Sequence, residues 1–72
     1  MESVSKKIRK IRREKNITLK ELSEKTELSV SFLSQFERGI SSITLVSLKK
    51  IAEALNITMK ELFEDESDVQ GQ

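Results

Sequence analysis

Residues 18–39, TLKELSEKTELSVSFLSQFERG, contain two short amphipathic helical patterns separated by the connector Glu27-Leu28-Ser29. A connector this short cannot act as a flexible linker, so the two helices must meet in a tight turn. In the second pattern Leu33 and Phe36, with Phe32 beside them, point to one face. The opposite face carries polar residues at the spacing i, i+3, i+4, i+7, which forms one continuous stripe on a helix. These residues are Ser31, Ser34, Gln35 and Arg38.

The polar stripe is built from hydrogen-bonding side chains and contains no acid. Such a stripe can enter a groove of double-stranded DNA without repulsion by the phosphates. On an isolated helix the same residues would more simply be a solvated face, whereas the helix-turn-helix context favours base contact. The residues predicted to read bases are Val30, Ser31, Ser34 and Gln35.

Gln35 is the best candidate among these base readers. Its amide can donate and accept at the same time, which matches the N6 and N7 edge of adenine. Val30 can pack on a thymine methyl group. None of the four predicted base-reading residues is an Arg, so we expect little bidentate hydrogen bonding to guanine. We therefore predict an A·T-leaning operator, with part of the specificity coming from DNA shape.

Length and composition narrow the class of protein. A chain of 72 residues fits one small domain. Cys and His are both absent, which removes disulfides, thiolate metal sites and the commonest general base. We therefore expect no enzyme, no cofactor and no metal. No apolar run approaches ~20 residues and the N-terminus does not resemble a signal peptide, so a reducing cytoplasm is the expected location.

The charge is distributed unevenly, although the net charge is only +1. Residues 1–63 hold all 13 bases and, without the four acids that follow Phe63, eight of the 12 acids, which is a net charge of +5. A basic body suits a polyanionic partner. The alternative to a polyanionic partner is that the basic residues form only a solvated helix face and that the acidic residues form a tail that keeps the protein soluble. We predict an ordered domain over 1–63 and an acidic, disordered tail over 64–72.

Hydrophobic spacing predicts an all-α fold of five helices, over roughly 4–15, 19–25, 30–38, 45–55 and 59–63. Ser29 and Thr44 are the expected N-caps of the third and fourth helices. Gly39 suits a left-handed C-terminal cap. The expected inward-facing side chains recur at spacings of three and four: Val4, Ile8, Ile11, Leu19, Leu22, Leu33, Phe36, Leu45, Leu48, Ile51, Ala52 and Leu55.

One local pattern occurs twice, as NITLKEL at 16–22 and NITMKEL at 56–62. In each copy a Thr can cap a helix while the Glu three residues later completes a capping box. The Asn of each copy suits the end of the preceding helix. The repetition therefore predicts a helix end and a new helix start at both places.

These motifs together resemble the helix-turn-helix family of phage repressors and Cro proteins, often called the XRE family. The resemblance covers about 4–63. The residues that carry it are Ile8-Arg9-Lys10-Ile11-Arg12, Thr18-Leu-Lys-Glu-Leu-Ser23, Leu28-Ser-Val-Ser-Phe-Leu-Ser-Gln-Phe-Glu-Arg-Gly39, Leu45, Leu48, Ile51-Ala52, Leu55 and Leu62-Phe63. It implies a compact five-helix bundle in a prokaryotic or phage regulator, nucleoid-associated when bound. It also implies that the third helix lies in the major groove, and that homodimers bind pseudo-palindromic half-sites. The run from Ser31 to Gly39 resembles regulators in which this domain precedes a ligand-sensing domain, often a cupin.

Three positions depart from the family pattern. Glu27 replaces the usual Gly of the turn, which is costly if that position needs a positive φ. Leu19 replaces a Gln that usually bonds a phosphate. Ile43 replaces the usual Pro before the fourth helix. The change at Leu19 removes one expected phosphate contact.

Two further groups of residues are assigned roles. The hydroxyl and basic side chains around the predicted DNA face are expected to contact phosphates: Thr18, Lys20, Arg38, Ser41, Ser42 and Thr44. Family resemblance also implies that Arg12 and Glu37 form a partly buried ion pair that orients the third helix. The alternative for this pair is two exposed charges of little energetic weight.

The last helix presents more apolar surface than so short a helix can hide alone. Met59, Leu62 and Phe63 are therefore predicted either to form a dimer surface or to close the bottom of the core. Two functions remain open at this point. The leading hypothesis is a sequence-specific DNA-binding transcriptional regulator. The alternative is a protein-interaction module with the same fold, such as an antitoxin.

Overall fold

The computed structural model describes residues 3–63, and every regular element in that range is a helix. The five helices are α1 (Val4–Glu14), α2 (Leu19–Thr26), α3 (Val30–Glu37), α4 (Leu45–Ala54) and α5 (Met59–Phe63). The predicted all-α class is confirmed, and each predicted helix end lies within one residue of the observed end. The predicted acidic tail, 64–72, lies outside the described residues.

Each of the first four helices begins at a hydroxyl side chain that accepts a hydrogen bond from a backbone N–H three residues later. These N-caps are Ser3, Thr18, Ser29 and Thr44. The same side-chain arrangement precedes α5, where the Thr58 hydroxyl accepts from Glu61 N–H at 3.1 Å. Each cap satisfies a backbone donor that the helix itself leaves unpaired. The predicted caps at 18, 29, 44 and 58 are confirmed.

Three helices end in the same two-bond motif. At α1, Asn16 adopts φ 58°, its N–H reaches Arg13 O at 3.1 Å, and Ile17 N–H reaches Arg12 O at 3.0 Å. The ends of α3 at Gly39 and α4 at Asn56 repeat this pattern, with φ of 77° and 60°. This is the Schellman arrangement, which satisfies the last carbonyls and reverses the chain.

The core is a single apolar cluster to which every helix contributes. Its buried members are Ile8, Leu22, Leu33, Phe36, Leu48, Ile51, Ala52, Leu55 and Leu62. Val4, Ile11 and Leu19 pack against it while partly buried. The packing pairs are α2 with α3 and α4, α1 with α3 and α5, and α4 with α5. This arrangement leaves one face of α3 open to solvent.

The prediction that Leu45 lies in the core is wrong. Leu45 and its neighbour Val46 are both 69% exposed, whereas Leu48 is 4% exposed. The first turn of α4 therefore projects beyond the layer that the other helices cover. Helical spacing places Leu45 near the buried face of α4. It does not show how much of the length of α4 is covered by the neighbouring helices. Each helix within 3–63 is too short or too polar to cross a lipid bilayer.

Candidate nucleic-acid interface

The turn between α2 and α3 is closed by side-chain hydrogen bonds. Thr26 Oγ1 donates to Leu22 O at 2.8 Å and accepts from Leu28 N–H at 3.2 Å. Ser23 Oγ donates to Leu28 O at 2.5 Å. Two of these bonds join Leu28 in the turn to Ser23 and Thr26 of α2, so they hold the start of α3 in a defined position relative to α2. The sequence does not predict this bond, because nothing local to Ser23 shows which carbonyl approaches its hydroxyl.

Glu27 occupies the turn with φ 65°, in the left-handed region. A residue other than Gly or Asn rarely adopts this conformation without cost. The strain that sequence analysis attached to the missing Gly is therefore present. Glu27 N–H donates to Ser23 O at 2.8 Å and closes the last turn of α2.

The two faces of α3 differ sharply in burial. Leu33 is 1% exposed and Phe36 is 5% exposed, so that face belongs to the core. The other face is open: Val30 is 42% exposed, Ser31 and Gln35 are exposed, and Ser34 is half-buried. The structure thus brings the four predicted base-reading residues onto the accessible side of one helix. Arg38, at the end of the same stripe, is exposed, and its Nε donates to Ser34 O at 3.3 Å.

Gln35 is linked to the loop that follows α3. Ser41 Oγ donates to Gln35 Oε1 at 3.0 Å. The main-chain carbonyl of Gln35 accepts from Ile40 N–H at 2.9 Å and from Ser41 N–H at 3.4 Å. The best candidate base reader and a predicted phosphate contact therefore form one hydrogen-bonded unit.

Five of the predicted phosphate-contacting residues lie at two places in the chain, the start of α2 and the loop before α4. Thr18 and Lys20, at the start of α2, are exposed, as are Ser42 and Thr44 before α4, while Ser41 is half-buried. Exposed hydroxyl and Lys side chains are typical phosphate partners.

At the start of α2, donor groups of Thr18 are already engaged within the chain. Thr18 N–H donates to Glu21 Oε1 at 2.8 Å, and Thr18 Oγ1 lies 3.3 Å from the same oxygen. The backbone hydrogen bond from Thr18 holds the pKa of Glu21 below its ordinary value. A carboxylate of the chain itself therefore already occupies part of this positive helix end.

The Arg12 and Glu37 side chains meet between α1 and the last residue of α3. Arg12 Nε lies 2.7 Å from Glu37 Oε2, and Arg12 Nη2 lies 2.9 Å from Glu37 Oε1. The two side chains are 11% and 5% exposed. The remaining guanidinium nitrogen, Nη1, donates to Ile17 O at 2.8 Å. A planar guanidinium satisfied in this way is a rigid bridge between helices.

The three apolar residues assigned to a dimer surface separate in the structure. Leu62 is 1% exposed and lies inside the core, so it offers no surface to a second copy. Met59 packs against the core while partly buried. Phe63 is 54% exposed. The alternative, in which these residues close the core, therefore describes Leu62, while only Phe63 presents a large accessible surface.

Comparison with known proteins gives consistent matches. The helix-turn-helix family model matches residues 8–62. The control protein C.MunI of Mycoplasma sp is 35% identical over 60 residues, which are 82% of this chain and 81% of that protein. The immunity repressor protein of Bacillus phage phi105 is 34% identical over 90% of this chain and 45% of its own length. The regulator SinR of Bacillus licheniformis is 31% identical over 96% of this chain and 65% of its own length.

A solved structure shows the same fold. The crystal structure of a point mutant of the restriction-modification controller protein C.Esp1396I superposes with a TM-score of 0.79 at 34% identity. The superposition covers 99% of this chain and 94% of that one. The likeness therefore extends over the whole bundle, including α5.

Proposed function

The chain belongs to the XRE-type helix-turn-helix family, and we propose that it is a transcriptional regulator that binds double-stranded DNA with α3 in the major groove. The observation that carries this proposal is the open, acid-free face of α3, held in place by the closed turn before it and the Arg12–Glu37 pair behind it. A rigid helix with a free polar face is what reading of base edges requires. Named relatives that are transcriptional regulators or repressors support the same class of function.

Gln35 is proposed to read adenine through its amide, with Ser31 and Ser34 bonding neighbouring base edges or phosphates. Val30, an apolar side chain that is 42% exposed at the start of α3, is proposed to contact a thymine methyl group. This set favours an A·T-leaning operator. These few base contacts do not account for all of the sequence specificity. Sequence-dependent groove width supplies the rest.

Phosphate contacts are proposed from the start of α2, the end of α3 and the loop before α4. Lys20 and Arg38 supply charge, while Thr18, Ser42 and Thr44 supply hydroxyl groups. The phosphate contact expected of Ser41 is not carried forward, because its hydroxyl donates to Gln35. The phosphate that Lys20 or Arg38 neutralises releases counterions, so each contact steepens the dependence of log K on log salt by roughly 0.9.

A homodimer on two half-sites is proposed as the binding form. Two copies of α3 then enter the major groove about 34–36 Å apart on one face of the duplex, which requires a pseudo-palindromic operator. Phe63, with Met59 beside it, supplies accessible apolar surface for the contact between copies.

The test is an amide NMR titration with a short A·T-rich duplex at low salt. We expect shifts centred on 29–38, with weaker shifts at 18–20 and 41–44. Arg38→Ala should weaken binding and reduce the salt slope by roughly 0.9. Lys49→Ala removes an equal charge from the exposed side of α4 and is the matched control.

Other results of the same experiments would contradict the proposal. Shifts confined to the basic α1, or none at all, would exclude docking by α3. Equal effects of Arg38→Ala and Lys49→Ala would reduce the interaction to non-specific charge attraction. Either result would favour a protein partner instead.

A further inference from the structure

We propose that Ser41 is a positioning residue for base recognition, which orients the Gln35 amide and so decides which base pair Gln35 reads. This inference rests on the proposed DNA-binding function. It assigns part of the specificity to the loop between α3 and α4, outside the helix that enters the groove.

Ser41 and Gln35 are in contact through both their side chains and their main chains. Ser41 Oγ donates to Gln35 Oε1 at 3.0 Å, six residues away along the chain. The main chains of the same two residues also approach, since Ser41 N–H lies 3.4 Å from Gln35 O. Ser41 is half-buried while Gln35 is exposed.

The end of α3 explains why Ser41 returns over Gln35. Gly39 adopts φ 77°, and its N–H donates to Phe36 O at 2.9 Å. Ile40 N–H then donates to Gln35 O at 2.9 Å, which completes a Schellman reversal. The next residue after this reversal is Ser41. The reversal at the end of α3 therefore brings the Ser41 hydroxyl next to the side chain of Gln35, which lies in the last turn of the helix.

The chemistry of the amide makes this contact matter. The terminal torsion of Gln is broad and close to two-fold, so a free amide readily exchanges its carbonyl and NH₂ ends. In the structure the Ser41 hydroxyl holds the carbonyl end, which still has a second lone pair, while both Nε2 hydrogens stay on the other branch. The order of acceptor and donor presented to the groove is then defined. A defined order is needed to match N6 and N7 of adenine and to reject other base pairs.

The same bond revises the role that sequence analysis gave Ser41. A hydroxyl has one hydrogen, and a phosphate oxygen can only accept. While Ser41 donates to Gln35, it has no hydrogen left for a phosphate. For Ser42, the described residues show no such side-chain bond and its side chain is exposed, so the simple phosphate role fits Ser42.

The experiment compares specificity and not affinity alone. The wild-type chain first selects its preferred duplex from a randomised pool. Dissociation constants are then measured for that duplex, its single-base-pair variants and an unrelated duplex. The proteins are wild type, Ser41→Ala, Ser41→Thr, Gln35→Ala, the Ser41→Ala/Gln35→Ala double variant and Ser42→Ala. Thermal unfolding of each variant checks that the fold is intact.

We expect Ser41→Ala to reduce discrimination at one base pair by about tenfold, with little change on the unrelated duplex. Gln35→Ala should reduce discrimination at the same base pair, and adding Ser41→Ala to it should change nothing further. Ser41→Thr should restore the preference, because it restores the hydroxyl. Ser42→Ala should weaken binding to all duplexes equally.

Two results would overturn the proposal, and they differ. If Ser41→Ala weakens every duplex equally, as Ser42→Ala does, or if its effect adds to that of Gln35→Ala, Ser41 contacts the backbone only and the proposed function stands. If the wild-type chain enriches no sequence, the proposed function fails and this inference fails with it.

Discussion

Arg12 holds both carboxylate oxygens of Glu37, at 2.7 and 2.9 Å, although the two residues stand 25 positions apart in the chain. The same guanidinium donates to Ile17 O at 2.8 Å. One side chain therefore fastens α1 to the turn before α2 and to the end of α3. The proposed recognition helix is oriented from behind by this bridge, on the side away from its open face.

Arg12→Ala is expected to destabilise the fold by ~3–5 kcal/mol, because it leaves the Glu37 carboxylate buried and unpaired. Urea denaturation monitored by circular dichroism measures the change. The double variant Arg12→Met/Glu37→Leu removes both charges and should be far less destabilising than either single change. A loss below ~1 kcal/mol for Arg12→Ala would show that water reaches the pair and that it does not anchor α3.

Glu27→Gly is expected to stabilise the protein by up to ~1 kcal/mol, since glycine adopts the observed φ of 65° without steric cost. The gain should appear as a rise in Tm of roughly 4–8 °C per kcal/mol for a domain of this size. Lys25→Gly places the same residue inside α2 and is the matched control, with an expected loss of about 1 kcal/mol. A lower Tm for Glu27→Gly would mean that the glutamate makes a compensating contact.

Acidification is expected to weaken the starts of α2 and α5. The backbone hydrogen bond from Thr18 lowers the pKa of Glu21, and the one from Thr58 lowers the pKa of Glu61. A carboxyl whose pKa is lower when folded contributes stability above its unfolded pKa, and this contribution is lost as the pH falls through the folded pKa. Side-chain NMR titration should therefore give both groups midpoints below their ordinary value.

Replacing one cap at a time tests the cause of these shifts. Thr18→Ala removes the hydroxyl of the first capping box, so helix fraying should raise the midpoint of Glu21 while leaving Glu61 unchanged. Thr58→Ala should do the reverse. Parallel changes at both glutamates would point to a global effect on the fold and not to the local caps.

Leu45→Ala is expected to change stability by less than ~0.5 kcal/mol, because the side chain is 69% exposed. Leu48→Ala, one helical turn later and 4% exposed, should cost ~2–5 kcal/mol by leaving a cavity. Both values come from the same denaturation measurement. Comparable losses at low protein concentration would place Leu45 in the core after all.

The sequence predicted the local structure well because local structure depends on neighbouring residues. The Thr and Glu of each NITxKEL copy sit three residues apart, which is enough to form a capping box wherever a helix starts. The left-handed conformations of Asn16 and Asn56 follow from the ability of Asn to adopt positive φ at a helix end. None of these features needs a distant partner.

The candidate site was predicted in part. The open face of α3 follows from its apolar spacing, since the core must lie opposite the polar stripe. The bond between Gln35 and Ser41 was missed, although Gly39 was expected to end the helix, because nothing local indicates where the chain goes after the reversal. The exposure of Leu45 was missed, and the burial of Leu62 was left as one of two alternatives, for a similar reason: both depend on how far neighbouring helices extend.

By itself, the sequence determined five helices, the caps of the last four, the two faces of α3 and membership of the helix-turn-helix family, since spacing and capping are short-range properties of the chain. Only the tertiary structure decided which hydroxyl meets the Gln35 amide, which apolar residues are covered, and how Arg12 is satisfied by Glu37 and Ile17 at once. These contacts join segments that are far apart in the chain or that a reversal of the chain brings together. Their geometry is set by the packing of all five helices together.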